Sequence, residues 1–515
     1  MEPSMTTTMS TATHPTYETL TTTVTEGATL RSCLSVLHWD QETYMPPEGI
    51  EPRGAQIALV ARLAHEHFTS DQIGELIAAC EGNSELMDDP VSETSVNVRR
   101  IRRQYDRATK LPPELVSEEA ELASKAQHHW AEARQSQDFS KFQPWLEKVV
   151  SVLQRKAECY GWAEGGEPWD ALAEDYEPGC TAAWVDSVFT PLRTRLQSLL
   201  DRIMGATPPS NAFNEVRLPV EAQERFVRFV AESIGFDFQR GRIDVSTHPF
   251  CSGFSPRDVR LTTRFHEDNV NDALGSTMHE CGHGIYEQGL RIDQPGLPMG
   301  NSVSLGIHES QSRLWENQVG RSRQFWAWCQ PKLTDFFGDA VKGLDLETVY
   351  AGANIVRPDF IRVEADEATY NMHIMIRFEI ERALMKGELA VADVPAAWNE
   401  KYREYLGLEV PNDSVGCMQD IHWSMCSMGY FPTYTLGNLY SAQFFDAARK
   451  AMPGLEDGFA SGTFAPLREW LNEHIHQHGQ RYLAADLCEV VTGAPLTADH
   501  LMTYLEEKYG EIYGL

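Results

Sequence analysis

Apolar residues recur with helical spacing along most of the chain. Residues 54–66 and 142–157 each place their apolar side chains on one stripe, three and four positions apart. The same period runs through residues 216–234, 361–385 and 464–488. Proline-containing breaks interrupt the pattern at positions 45–47, 112–113 and 208–211. The pattern predicts a mainly α-helical protein without internal repeats.

One region alternates with the period of a strand. Residues 242–246 place Ile243 and Val245 on one side, and residues 258–265 alternate again. The stretch between them is rich in turn residues. We therefore predict a small sheet of two short strands, immediately before the segment that carries the candidate chemistry.

Composition narrows the class of protein. The 515 residues include 44 Lys and Arg against 75 Asp and Glu, a formal net charge of −31. Such a surface repels nucleic acid, and no segment approaches the roughly 20 apolar residues that span a bilayer. The ten cysteines are scattered, and the Thr-rich start lacks the pattern of a signal peptide. We expect a cytoplasmic protein that binds neither nucleic acid nor membrane.

The sequence from His279 to His283 forms an H-E-x-x-H motif on a predicted helix that Asp268 or Asn269 caps. Two histidines separated by four positions project from one helix face, with about 5–6 Å between their Cβ atoms. That spacing allows both imidazoles to bind one Zn²⁺, with Glu280 beside the water-filled position. The alternative is a pair of partly buried histidines that bind backbone acceptors.

The third metal ligand determines which subclass of H-E-x-x-H metallopeptidase the sequence resembles. The metzincin pattern fails, because Tyr286 and Gly289 occupy the positions of its further Gly and His. Glu287 lies about 12 Å along the axis from His279, too far to share one ion. Glu309, on the following predicted helix, is the better candidate, although it could instead be a solvated acid paired with Arg313.

A His₂Glu site with an open position has a defined chemistry. The metal lowers the pKa of its bound water and polarises a carbonyl. Glu280 takes the proton from that water and returns it to the leaving amine. The predicted reaction is hydrolysis of a peptide or another amide.

Several ordered motifs resemble the thermostable (Taq-type) zinc carboxypeptidases over nearly the whole chain. They are Trp39–Pro46 with Arg53 and Gln56, His248–Phe250, Asp258–Thr262, the zinc motif, His308–Gln311, Ile361–Asp366 (IRxxAD) and Gly416–Trp423 (GxxQDxHW). By this resemblance His279, His283 and Glu309 are the metal ligands and Glu280 is the catalytic carboxylate. Arg313 stands where thermolysin-like enzymes have an Asp after the third ligand, so the support of the ligands must be built differently.

The resemblance implies a large helical peptidase fold with a deep groove and a small sheet beside the zinc helix, similar to neurolysin-like and angiotensin-converting-enzyme-like peptidases. We expect residues 1–15 to form a mobile tail and residues 16–515 one catalytic domain with two helical lobes. The resemblance further implies release of single C-terminal residues from peptides with broad specificity. It implies a Zn²⁺ centre in which Co²⁺ can substitute, and a homodimer. An oligo-endopeptidase or dipeptidyl carboxypeptidase on the same scaffold is the alternative, and a peptide-binding scaffold that does not cut is a third.

A C-terminal exopeptidase must bind a free carboxylate, which favours arginine. Arg362 is the first candidate and Arg260 the second. Arg362 could instead only pair with Asp366, four residues on. The strand at residues 258–265 could offer its edge to an extended peptide, or it could be purely structural.

By similarity to related helical zinc peptidases, His422 with Tyr434 would donate to the oxyanion, and Tyr430 would contact the substrate end. Each tyrosine could also serve only packing. Three further groups are set aside: His474–His478 is predicted to lie on a surface helix, His65–His67 on an exposed helix end, and Cys281 in the packing of the zinc helix.

Overall fold

A computed structural model describes residues 14–515. Residues 1–13, most of the expected N-terminal tail, lie outside the described residues, and the first helix begins at Pro15. The chain divides into two compact units, the first reaching Thr109 and including Arg291–Asn301, the second comprising Lys110–Leu290 and Ser302–Leu515. Within the described part of the chain, every helix is too short or too polar to cross a membrane.

The first unit is helical. Its helices are α1 (Pro15–Thr43), α2 (Ile50–Phe68), α3 (Asp71–Glu81), α4 (Ser84–Met87) and α5 (Glu93–Lys110, whose last residue belongs to the second unit). Their apolar faces form a core of their own, which includes Leu20, Ile73 and Ile101. The turn after α1 is fixed by Arg53, which binds the carboxylate of Asp40 at 2.6 Å.

The second unit holds the remaining helices and the larger core. The helices are α6 (Pro113–Ser136), α7 (Gln143–Tyr160), α8 (Pro168–Ala173), α9 (Ala182–Gly205), α10 (Val220–Ile234), α11 (Val270–Gly289), α12 (Leu305–Arg313), α13 (Arg323–Phe337), α14 (Leu346–Gly352), α15 (Tyr370–Lys386), α16 (Val394–Leu406), α17 (Pro432–Ala451), α18 (Leu455–Ala460), α19 (Ala465–His474), α20 (Ala484–Thr492) and α21 (Asp499–Tyr513). The prediction of a mainly helical protein is confirmed. The proline-rich breaks are also confirmed, since helices end before each of them.

The sheet has three strands rather than the two predicted. They are β1 (Gly241–Val245), β2 (Cys251–Ser255) and β3 (Asp258–Thr263), in the order β1-β3-β2. β1 is parallel to β3, and β2 is antiparallel to it. Strand β2 escapes the sequence pattern because its short segment, rich in Ser and Gly, does not alternate cleanly.

Two predicted helical stretches are shorter or broken. Helix α15 begins at Tyr370 rather than near 361, because the Asp366 side chain accepts hydrogen bonds from the N–H groups of Ala368 and Thr369 and turns the chain. The stretch 464–488 breaks into α19, a short 3₁₀ helix (His476–His478) and α20. Gly479, with φ +52°, supplies the left-handed turn there.

Helix α12 lies against α11 and α17 at two glycines. A Cβ on Gly282 of α11 would fall 2.5 Å from the carbonyl oxygen of Gln311 and from Cα of Ser312. A Cβ on Gly437 of α17 would fall 2.4 Å from Cγ of Glu309. These helices therefore approach α12 more closely than any residue with a side chain would permit.

We predict that Gly282→Ala destabilises the metal-free protein by about 1–3 kcal/mol, because the new methyl group overlaps backbone atoms that cannot rotate away. Gly275→Ala is the matched control on the same helix, since nothing lies within 4 Å of its added Cβ. That control should be neutral or stabilising by up to about 1 kcal/mol. Thermal unfolding in the presence of a chelator measures both, and an equal effect of the two substitutions would contradict the close approach.

Candidate metal centre and active site

Helix α11 presents the two motif histidines. Asn269 caps the helix by accepting a hydrogen bond from the Asp272 N–H, as the sequence indicated. The apolar stripe that includes Ala273, Leu274 and Met278 is buried, which fixes the rotation of the helix. His279 and His283 therefore share one face, with ring centroids 4.9 Å apart.

Glu309 comes to these histidines from α12. Its Oε2 lies 3.5 Å from Nε2 of His279 and 3.4 Å from Nε2 of His283. One donor atom from each of the three residues lies within 4.8 Å of the other two. The structure thus brings together the three residues that the sequence singled out as ligands.

This donor set fits a metal ion. Donor atoms about 2.0–2.2 Å from a tetrahedral metal lie about 3.3–3.6 Å from one another. The distances from Glu309 to the two histidines fall in that range. Two imidazoles and one carboxylate leave a coordination position open, which is the arrangement of catalytic metal sites.

Glu280 lies beside the three donor residues and is 6% exposed. Among the described residues its Oε2 has no hydrogen-bond partner. Burial raises the pKa of Glu280 to about 7, with a smaller opposing contribution from His279. A buried carboxylate oxygen without a partner is costly, and such exceptions commonly mark a chemical role.

A second carboxylate, Glu316, supports His279. The Nδ1–H of His279 donates to Oε2 of Glu316 at 2.9 Å, so that Nε2 faces Glu309. Glu316 lies on a π-helix (Leu314–Val319) that continues α12, and it also receives Arg313 and Arg321, both at 3.2 Å. Arg313 in turn donates to Oε1 of Glu309 at 2.7 Å. Arg313 therefore orients the carboxylate of Glu309, and Glu316 supplies the supporting acid that this chain lacks at position 313.

His283 is supported by a histidine and a glutamate in series. Its Nδ1 lies 2.5 Å from Nδ1 of His308, whose Nε2 lies 2.7 Å from Oε1 of Glu287. Because the carboxylate accepts the Nε2–H of His308, the Nδ1 of His308 accepts from His283. That tautomer leaves Nε2 of His283 unprotonated and facing the other donor atoms. Burial, followed by the nearby His308, lowers the pKa of His283 to about 3.

Arg362 is 6% exposed and binds Asp420, not the Asp366 that local spacing offered. Its Nε donates to Oδ1 of Asp420 at 2.9 Å, and its Nη1 donates to the Tyr370 hydroxyl at 2.9 Å. Arg377 donates to the other oxygen of Asp420 at 2.6 Å. The alternative that Arg362 pairs with Asp366 is wrong, since the helix that would align them begins only after Asp366.

His422 and Tyr434 are in contact, with 3.2 Å between Nε2 and the phenol oxygen. The ring of Tyr430 packs against that of Tyr434 at 5.3 Å. Burial, then the charge of Arg362, lowers the pKa of His422 to about 4, so its imidazole is neutral near pH 7. The guanidinium of Arg362 lies over the Tyr434 ring at 4.9 Å. These four residues form one cluster.

This cluster adjoins the donor residues through two paths. Tyr434 is three residues before Gly437 on α17, about 4.5 Å along the axis, and Gly437 abuts Glu309. Tyr370, which binds Arg362, lies under the guanidinium of Arg313 at 4.3 Å. The residues predicted for catalysis and for the substrate carboxylate therefore lie next to the candidate metal centre.

Arg260 is placed differently. It forms an ion pair with Asp258 at 2.9 Å and lies over the ring of Phe254 at 4.8 Å. Its strand, β3, is central in the sheet and hydrogen-bonded on both sides. The prediction that this strand offers its edge to a peptide is wrong, because β1 and β2 occupy both edges of β3.

The three groups set aside behave as follows. His474 ends α19 and His478 follows in a 3₁₀ turn, so the pair shares no helix face, and His476 between them is buried. The expected surface helix is therefore wrong at this position. His65 and Glu66 lie exposed at the end of α2 and Cys281 is fully buried, as expected, whereas His67 is half-buried and its Nε2 lies 2.7 Å from the carbonyl oxygen of Thr23.

Sequence reasoning missed the residues that support the site. His308 was visible beside Glu309, but nothing local indicated that it would bind His283 and Glu287. Glu316 lies seven residues after Glu309, a spacing that places both on one helical face. Arg377 carried no signal of its own. Asp420 stood in the GxxQDxHW motif, but nothing local indicated its partners Arg377 and Arg362, which lie 43 and 58 residues earlier in the chain.

The fold and the site together define a helical metallopeptidase. Residues 19–509 match the model of the carboxypeptidase Taq (M32) metallopeptidase family. The thermostable carboxypeptidase 1 of Thermus thermophilus is 44% identical over 497 residues, covering 95% of this chain and 97% of that protein. Carboxypeptidase 1 of Bacillus subtilis is 36% identical, covering 94% of this chain and 95% of its own.

Solved structures agree. The crystal structure of an M32 carboxypeptidase from Deinococcus radiodurans is 39% identical and superposes with a TM-score of 0.94, covering 98% of this chain and all of that one. A carboxypeptidase from Pyrococcus furiosus gives a TM-score of 0.92 at 37% identity, covering 96% of this chain and 99% of its own. This chain belongs to the M32, or Taq, family and is a metallocarboxypeptidase.

We predict that Glu287→Gln lowers metal affinity about 10–100-fold, the usual effect of losing such a support. A glutamine amide can donate to Nε2 of His308, which permits the tautomer that places a proton on Nε2 of His283, the atom needed by the metal. Competition with a chromophoric chelator measures the affinity.

Asp446→Asn is the matched control, since Asp446 holds His500 at 2.9 Å in the same kind of carboxylate–imidazole pair. It lies nine residues beyond Gly437 on α17, about 13 Å along the axis. Its substitution should leave metal affinity unchanged. Unchanged affinity in Glu287→Gln as well would rule out the supporting role.

Proposed function

We propose that this metallocarboxypeptidase uses zinc, releases single C-terminal residues from peptides with broad specificity, and activates water with Glu280. The unpaired Glu280 Oε2 beside three donor atoms that lie within 4.8 Å of one another carries this proposal. His279, His283 and Glu309 would hold the ion. Two imidazoles and a carboxylate suit Zn²⁺, and Co²⁺ accepts the same donors.

Bound zinc would acidify a water molecule and polarise the scissile carbonyl. Glu280 accepts the proton of the attacking water and delivers it to the leaving nitrogen, so the departing residue leaves as a free amine. His422, neutral and with Nε2 3.2 Å from the Tyr434 oxygen, donates its Nε2–H to that oxygen. The Tyr434 O–H is then free to donate to the developing oxyanion, while Tyr430 contacts the end of the substrate.

Arg362 is the group that would bind the terminal carboxylate. Asp420 and Tyr370 engage its Nε, Nη1 and Nη2 atoms. An arginine has five N–H groups, and Asp420 and Tyr370 use three of those of Arg362. One N–H on each Nη atom is then left for a ligand, and two such groups can bind the two oxygens of a carboxylate. Arg260 remains the second candidate, although the contacts above tie it to the sheet.

The cellular location, the oligomeric state and the partners are also part of this proposal. Ten free cysteines support a reducing compartment, in keeping with a cytoplasmic enzyme. The resemblance to Taq-type carboxypeptidases supports a homodimer, and likewise a deep groove similar to those of neurolysin-like and angiotensin-converting-enzyme-like peptidases. Peptides are the proposed partners, without nucleic acid or membrane.

The proposed reaction predicts stepwise loss of single C-terminal residues from a peptide whose N-terminus is blocked, followed by mass spectrometry. Glu280→Gln should lower kcat about 10²–10⁴-fold with metal content unchanged, because the amide cannot accept the proton. Release of dipeptides or internal fragments would instead assign a dipeptidyl carboxypeptidase or an oligo-endopeptidase. A wild-type rate in Glu280→Gln would refute the mechanism.

The role of Arg362 predicts a change in substrate preference. Arg362→Lys should lower the ratio of kcat/KM for a free-acid peptide to that for its C-terminal amide by about 10-fold or more, since lysine cannot form the bidentate pair. Arg377→Lys is the matched control, because it perturbs the same Asp420 from the opposite side. It should lower both rates without changing their ratio, and an equal ratio in the two variants would exclude the role of Arg362.

A further inference from the structure

A buried glutamate on α15 collects hydrogen bonds from three separate places. Glu381 has no exposed surface. Its Oε1 accepts the indole N–H of Trp423 at 3.0 Å. Its Oε2 accepts the indole N–H of Trp169 at 3.1 Å and the backbone N–H of Gly429 at 2.9 Å. In the described residues this carboxylate forms no ion pair, so its direct partners are three N–H groups, to which the charge of Arg377 adds at longer range.

Two of these donors lie at the ends of one tight loop segment, Trp423–Gly429. His422 directly precedes the segment and Tyr430 directly follows it. Inside it, Cys426 has φ +58°, a left-handed conformation that is costly for a residue with a side chain. A single carboxylate therefore holds both ends of a strained segment whose neighbours are the proposed catalytic and substrate-contacting residues.

The third donor connects this loop to α8. Trp169 lies on α8, and Gly429 rests on the backbone of the same helix, where an added Cβ would fall 2.8 Å from the N atom of Ala173. The chain that leaves α8 continues the contact, since the ring of Tyr176 packs on that of Tyr430 at 5.1 Å.

The same short segment reaches the helix that carries Glu309. The carbonyl of Tyr176 accepts the N–H of Leu305 at 3.1 Å, and Oε2 of Glu177 accepts the N–H of Gly306 at 2.9 Å. Both N–H groups belong to the first turn of α12. Residues 169–177 thus contact the loop segment Trp423–Gly429 and also the first turn of α12, the helix that carries Glu309.

We propose that Glu381 is a positioning residue, which fixes His422 and Tyr430 relative to Glu309 by fastening both ends of their loop to α8. It touches neither the metal donors nor the proposed substrate groups. The inference rests on the proposed function in one respect, namely that His422 and Tyr430 serve the substrate. A core residue with no such role would affect stability alone.

Glu381→Gln tests this role. The amide retains one acceptor oxygen but turns an NH₂ group toward one of the three donors, so one end of the loop is released. We expect kcat to fall at least about 10-fold, the equivalent of one lost hydrogen bond to a charged group, while metal content is unchanged and KM stays within about 3-fold. In protein labelled with ¹⁵N-tryptophan, the indole N–H signals of Trp169 and Trp423 should shift.

Glu379→Gln is the matched control on the same helix. Glu379 is bound by Arg193 and by the hydroxyl of Tyr405, and it makes none of the loop contacts. It should keep the wild-type kcat and the same two indole signals. If Glu381→Gln retains wild-type kcat, or if both variants lose kcat equally, the positioning role is refuted.

Trp423→Phe tests the role independently should Glu381→Gln fail to fold. It keeps the carboxylate and removes one loop donor, so kcat should again fall with metal content unchanged, and an unchanged kcat refutes the role. Wild-type protein that leaves peptide C-termini intact would refute the proposed function itself. An active wild type with Glu381→Gln equal to Glu379→Gln refutes only the positioning role.

Discussion

The candidate metal centre depends on the close approach of α12 to two other helices. Gly282 lets α11 lie against the backbone of Gln311 and Ser312, and Gly437 lets α17 lie against Glu309 itself. Protein interiors are close-packed, so a helix held on two sides by backbone has little freedom to shift. Metal–ligand distances tolerate only about 0.2 Å. The two glycines therefore set the precision with which a carboxylate from one helix meets two imidazoles from another.

Electrostatics adds a second constraint on the same helices. Glu309 is buried and Glu316 is largely buried, and Arg313 contacts both of them. Burial alone would raise the pKa of Glu309, yet the charges of Arg313 and His279 lower it well below its usual value. Arg313 thus helps to keep both carboxylates ionised. Glu280 differs, because burial dominates its pKa and one of its oxygens has no partner among the described residues.

The sequence predicted those features that depend on short spacings. The i, i+4 pair of His279 and His283, the cap at Asn269 and the proline breaks are local properties, and the helices follow them. It could not predict the partner of Arg362, because Asp420 lies 58 residues away and packing alone brings them together. The same reason hid Glu287 and His308 as a pair. Strand β2 was missed because a short strand is decided by its neighbours more than by its own residues.

The chain has a net charge of −31, yet two arginines are buried together in the cluster around Arg362. Arg362 and Arg377 are both buried and share one carboxylate, Asp420, while burial and Arg362 keep the adjacent His422 neutral. The two guanidinium groups share one carboxylate by direct contact, and the charge of Arg377 also acts on the buried Glu381. A buried guanidinium is costly unless an anion completes it. A peptide carboxylate would supply such an anion to Arg362, which supports the proposed role of this arginine beside the candidate metal ligands.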